Sequence, residues 1–110
     1  KKKKKSRLKK DVVDIPYGLE TINKLKPEKY VRYAGDMKDD EVVLEGNGWD
    51  ELGFIAQDVK ELIPEVIANP TCDETKGFYV MDDTQITSIL VKAVQELSAK
   101  VEQLENKLGE

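Results

Sequence analysis

The sequence predicts a single small α+β domain of short strands and helices that ends in one long helix. Three observations carry this. The chain has 110 residues, 39% hydrophobic and 36% charged, enough for one core and too few for two. Between residues 11 and 82 the apolar residues come in short runs punctuated by proline and glycine, the pattern of brief mixed elements. From Asp83 to Leu108 there is neither proline nor glycine. The chain therefore divides into a basic N-terminal arm (1–10), an α+β body (11–82) and a C-terminal helix (83–110).

Within the body, Val12, Val13 and Ile15 form an apolar run ended by Pro16 and read as an opening strand. Leu19, Ile22 and Leu25 recur every three positions, placing them on one side of a short helix that closes before Pro27. Tyr30, Val31 and Tyr33 read as a strand, and the polar stretch Gly35 to Asp40 as a turn. Val42 to Leu44 is a further strand, and Gly46-Asn47-Gly48 carries a hairpin-type turn signal. Gly53 to Ala56 is a compact apolar run passing into a helix, where Val59, Leu62 and Ile63 share a face until Pro64 stops it. Val66-Ile67 and Phe78 to Val80 are two more short apolar segments, separated by a loop over Asn69 to Lys76.

Alanine, leucine, lysine, glutamate and glutamine dominate the last segment, so it reads as one helix capped by Asp82 or Asp83. At ~1.5 Å per residue it extends ~38 Å, past the edge of so small a body. Leu90, Val94, Leu97, Val101, Leu104 and Leu108 alternate spacings of four and three, with valine or leucine at a and leucine at d of a heptad. Charged Lys100, Glu102, Glu105 and Lys107 flank them. The stripe fits either an amphipathic helix folded on its own body or self-association. Its narrowness favours self-association, because a core-facing helix shows a broader apolar face. Valine at a with leucine at d, taken alone, leans towards a dimer.

Composition closes off several kinds of chemistry. The chain contains no histidine, which removes imidazole-based triads and histidine-ligated metal sites; no metal or cofactor is expected. A lone cysteine, Cys72, forms no internal disulfide and has no histidine to activate it. Asp36, Asp39, Asp40 and Glu41 lack the ligand alternation and central glycine of a calcium loop and read as a solvated turn. Gly46-Asn47-Gly48 is too short for a phosphate loop. Trp49 reads as partly buried over its own domain, with a partner anchor as the alternative.

Charge is unevenly spread. Eight of the 18 basic residues lie in the first ten positions, leaving 10 basic against 22 acidic side chains in the remainder. An acidic body repels phosphate backbones, so nucleic-acid binding would rest on the lysine arm alone and is not expected. No run approaches the ~18 apolar residues that span a bilayer, so no membrane partner is expected. Ser6 and Lys9 are a hydroxyl and an amine three residues apart. Such a pair becomes a catalytic dyad only where neighbouring charge or burial holds the lysine neutral.

Arg7-Leu8-Lys9-Lys10-Asp11-Val12, the helix with Leu19 to Pro27, Gly53-Phe54-Ile55-Ala56-Gln57-Asp58-Val59 running on to Ile63-Pro64-Glu65-Val66, and Leu90-Val91-Lys92-Ala93-Val94-Gln95-Glu96-Leu97 occur in one order along the chain. Together they resemble the intramolecular chaperone auto-processing domain found at the C-terminus of bacteriophage tailspikes, tail fibres and neck appendages. The resemblance implies a homotrimer formed through the C-terminal helices, which registers an upstream β-structured segment of the same polypeptide. It also implies removal of the chaperone by cleavage before a serine, with a lysine five residues later as general base. Lys9 matches that lysine; five positions before it stands Lys4, where the family has serine. Ser6 is then the remaining nucleophile candidate, and the chain reads as a processed or inactive form. The trimer interface implied is Leu90, Val94, Leu97, Val101, Leu104 and Leu108. The resemblance further implies a phage protein made in the bacterial host cytoplasm, its chaperone released from the tail appendage or transiently part of it. The alternative is a coiled-coil trimerisation or adaptor domain without processing activity.

Overall fold

The computed structural model describes residues 8–39, 41–72 and 77–109. In chain order they form α1 (Leu19–Lys24), β1 (Glu28–Lys38), β2 (Glu41–Gly53), α2 (Ala56–Leu62), a 3-10 turn (Pro64–Val66), a second 3-10 turn (Asp83–Gln85) and α3 (Ile86–Leu108). The architecture is mixed, one antiparallel two-stranded sheet with helices. A compact chain of this length has a radius of gyration of about 13 Å; here it is 19.1 Å, with a longest dimension of 65 Å. The hairpin and α3 both extend away from the core.

The core is small. Among the described residues Val59, Ile63, Val66, Ile86 and Ile89 form a buried cluster, onto which Ile15, Tyr17, Ile22, Leu25, Phe54, Leu62 and Met81 pack from the side. The shared face of Val59, Leu62 and Ile63 expected from spacing is present, and Pro64 opens the 3-10 turn that carries fully buried Val66. Proline is favoured there because the first turn of a helix leaves its N–H groups without internal partners. The two apolar segments beyond it meet: Ile67 bridges Met81, the Ala68 N–H donates to the Val80 carbonyl and the Asp82 N–H donates to the Val66 carbonyl, both at 2.7 Å. The Asn69 side chain fastens this pairing, donating to the Phe78 carbonyl and accepting from the Val80 N–H.

Several expectations are corrected. Residues 12–15 form no strand. Val12 and Val13 are exposed, no described strand pairs with them, and the chain enters through a left-handed Asp11 (φ 54°); an apolar run without a ladder partner does not make a strand. The hairpin exists, and its turn at Asp39, between the paired Lys38 and Glu41, falls inside the stretch read as a turn, of which Gly35 to Lys38 belong instead to β1. Asp39 has φ 51°, a conformation aspartate tolerates better than most residues. Gly46-Asn47-Gly48 lies inside β2, where the register shifts between Arg32 and Ala34. The two glycines, each at φ 72°, absorb the extra residues as a bulge. Strand β2 ends at Gly53, so Phe54 and Ile55 are a connection, not a strand. At the start of the long helix the Asp82 carboxylate makes no capping bond to the backbone; it accepts from the Thr84 hydroxyl and the Gln85 amide.

Candidate functional site

Helix α3 carries two apolar stripes with different uses. Ile86, Ile89 and Ala93 are buried against the body. At about 100° per residue, they and Glu96 lie on one flank, and the Leu90–Leu108 stripe is rotated from them by about 80°. That second stripe stays open: Leu90 is 45% exposed, Val94 63%, Leu97 49%, Val101 47%, Leu104 59% and Leu108 87%. Packing of the body consumes the c and g positions of the heptad, leaving a and d unoccupied. Beyond Glu96 every described residue of the helix is exposed, so its distal half is not covered by any of the described residues.

The charged residues beside the stripe bear on how a second helix could align with it. Lys100 occupies g and Glu105 the following e. In a parallel coil each g residue faces the e residue five positions further on in the neighbouring helix, which brings Lys100 to a second copy's Glu105. An antiparallel alignment would set g against g, opposing the lysines at 100 and 107.

The N-terminal segment enters the body beside this helix, its Leu19 backbone bonded to Glu96 of α3. Lys9 is exposed; Ser6 lies outside the described residues, so the geometry of the pair is not on view. Six residues beyond Asp11 the chain is fastened to the core. The Tyr17 hydroxyl donates to Glu65 Oε1 at 2.7 Å. That bond, then partial burial and the charge of Glu65, push Tyr17 above the usual tyrosine range. The Leu19 N–H donates to Glu96 Oε1 at 2.7 Å, so a carboxylate from α3 takes one of the donors that the first turn of α1 leaves unpaired. Gly18 makes this possible, since any Cβ there would collide with the Glu96 carboxylate.

A second polar group sits in a cleft of about 660 Å³ between the hairpin and residues 78–83. The Tyr30 hydroxyl donates to Glu51 Oε2 at 2.8 Å, and Arg32 donates to the same oxygen at 3.3 Å. The hydrogen bond from Tyr30 is the leading cause that holds Glu51 below its usual range, and it raises Tyr30 in turn. Tyr30 and Glu51 are cross-strand partners, a pairing unreadable until the hairpin turn is correctly located. The buried stripe of α3 was legible, by contrast, as apolar residues at spacings of three and four. Trp49 is half exposed on β2, and Cys72 is a free, half-buried thiol. Among the described residues no helix is long and apolar enough to cross a membrane.

A family model named for a peptidase and described as chaperone of endosialidase matches residues 6–68, more than half of the chain. The match takes in Ser6, Lys9, α1, the hairpin, α2 and the first 3-10 turn, and it ends before α3. No curated protein matches the chain.

Proposed function

The chain belongs to the chaperone of endosialidase family, intramolecular chaperones of phage tail proteins, and from that premise we propose that it works by trimerising. Three copies associate in parallel through the seam of α3, hold three upstream tail segments in register while their β-structure forms, and are then removed by cleavage at the N-terminal boundary. The observation that carries this reading is the division of α3: Ile86, Ile89 and Ala93 complete the body, while the a and d residues from Leu90 to Leu108 remain open. A leucine and valine seam of that length, continuous and exposed, is the kind of surface that marks an interaction site. Three strands are preferred over the two suggested by the a/d residues because body contacts around the helix bases also weigh in the choice.

In the cleavage step a serine hydroxyl, for which Ser6 is the candidate in this chain, attacks the carbonyl carbon of the peptide bond preceding it while Lys9 takes the hydroxyl proton; the C–N bond breaks as that proton passes to the leaving amine, and water then hydrolyses the resulting ester. A lysine takes the hydroxyl proton only in its neutral form. The chaperone acts in the host cell during assembly of the tail appendage. A second reading, a trimerisation or adaptor domain that does not cleave, is favoured by Lys4 standing where the family has its serine.

Two measurements test these readings. Sedimentation of the chain across a concentration series should give the mass of three copies; a persistent monomer overturns the chaperone mechanism. Expression with the native upstream segment should yield a fragment beginning at residues 4–6, abolished by Lys9→Ala. An uncut product in both forms leaves the non-cleaving reading.

A further inference from the structure

One exposed apolar residue of α3 belongs to neither stripe. Val91 is 52% exposed and occupies position e, on the flank opposite the body. The e positions further along are Ser98 and Glu105, both polar, so the apolar residue occurs only at the level of the body. On the other flank of the same helix, between its base and α1, lies an apolar groove of about 300 Å³. Its walls are Ile22, Leu25, Pro27 and Phe54, with Thr87 and Leu90 on the α3 side; Asp83 is the charged residue among them. The groove runs into the seam, because Leu90 is at once a wall residue and the first d position.

We propose that this groove is an interface between copies of the chain, and that its occupant is Val91 of a second copy. The inference rests on the parallel association proposed above. In that arrangement a g residue faces the neighbour's e residue five positions on. Ile86 is at g, and the fifth residue after it is Val91. The neighbour's Val91 therefore arrives beside Ile86, at the mouth of the groove that Ile22, Leu25 and Phe54 leave half covered. Each copy offers Val91 on one flank and the groove on the other, so the contact repeats around a ring and closes. The body is thereby tied into the assembly, which is not held by the coil alone.

The test uses the whole chain. Val91→Asp is compared with Ser98→Asp, the same change at the next e position beyond the groove, and both are sedimented across a concentration series. Val91→Asp should raise the concentration at which the assembly half dissociates by about tenfold or more, with Ser98→Asp shifting it much less. In a Cys72→Ser background, chains carrying Val91→Cys mixed with chains carrying Leu25→Cys should form a disulfide between copies on oxidation. An assembly whose midpoint is equal in the two aspartate variants and that gives no mixed disulfide overturns the groove contact while leaving the coil intact. A monomeric unmodified chain overturns both.

Discussion

Leu97 is the seam residue whose truncation reads association most directly. It lies one turn beyond Ala93, the last residue of α3 buried against the body, so Leu97→Ala leaves the packing of a single copy unchanged. In the isolated chain Leu97 is 49% exposed. Full burial of a leucine contributes about 1.5–3 kcal/mol, so covering the open half contributes about 1 kcal/mol per copy and about 3 kcal/mol over three copies. Removing it lowers the three-chain association constant by about a hundredfold. Because that constant carries the square of concentration, the dissociation midpoint rises by about tenfold, and the cavity left at the d layer adds to the effect. Sedimentation equilibrium reads the midpoint, and circular dichroism at dilute concentration checks that the lone chain keeps its fold. Glu102→Ala, on the outer face of the following heptad, is the control and should leave the midpoint in place. If Leu97→Ala dissociates at the same concentration as the unmodified chain, the seam is not the interface and the reasoning from exposed a and d positions is wrong.

Three further outcomes follow from the structure. Glu96→Ala removes the acceptor of the Leu19 N–H and should destabilise the chain by about 1 kcal/mol, measured by urea unfolding; an unchanged midpoint would show that α1 is held by its apolar contacts alone. Gly48→Ala places a Cβ 2.5 Å from the Arg32 carbonyl at φ 72° and should cost the hairpin about 1–2 kcal/mol, seen as faster amide exchange across β1 and β2; unaltered exchange would refute the bulge geometry. Hydrogen bonds from Thr84 and Gln85 hold Asp82 below its ordinary value of 3.8. A depressed carboxylate stabilises the fold above its unfolded pKa, and that contribution disappears as pH falls through the lower folded value. The loss of melting temperature between about pH 6 and about pH 2.5 should accordingly be smaller in Asp82→Asn than in the unmodified chain; equal losses would remove Asp82 from the acid response.

What could be read from the sequence was whatever one segment decides for itself. The long helix follows from 26 positions without a breaker, and α1 and α2 from spacings closed by Pro27 and Pro64. The hairpin was legible as a hairpin and its turn as lying between Gly35 and Asp40, but the second turn signal was not legible as a bulge. Gly46-Asn47-Gly48 favours left-handed backbone whether it closes a hairpin or relieves a bulge, and only the pairing of Gly35–Met37 with Val42–Leu44 distinguishes the two. Val12 to Ile15 fails as a strand for the related reason that strands need partners a sequence does not display. The seam was visible because coiled-coil periodicity is local. The stripe of Ile86, Ile89 and Ala93 was equally local and was overlooked beside it, although it is what frees the seam from the body. Lys9 is of another kind: nothing in its surroundings marks it as a base, and the role proposed for it comes from the family resemblance, which puts Lys4 and not Ser6 at the position of the serine.

The position of the Glu96 contact bears on how such a domain would impose register. Glu96 lies between Val94 and Leu97 on α3, and through the Leu19 N–H it holds the entry of the chain into the body at the level of the seam. Packed helices lie about 8–10 Å apart, and the ten residues from Lys9 to Leu19 span at most about 36 Å. If three copies associate as proposed, their upstream segments would be confined to a region a few tens of ångströms across, where linked partners meet at effective concentrations of about millimolar. Pairing between separate chains is slow because distant contacts carry an entropy cost before they are rewarded, and that confinement removes most of the cost. Helix formation is local and fast, so on the proposed reading the coil closes before the β-structure it serves. On the proposed reading a cut near Lys9, which is exposed, would sever this tether and free the client from the chaperone.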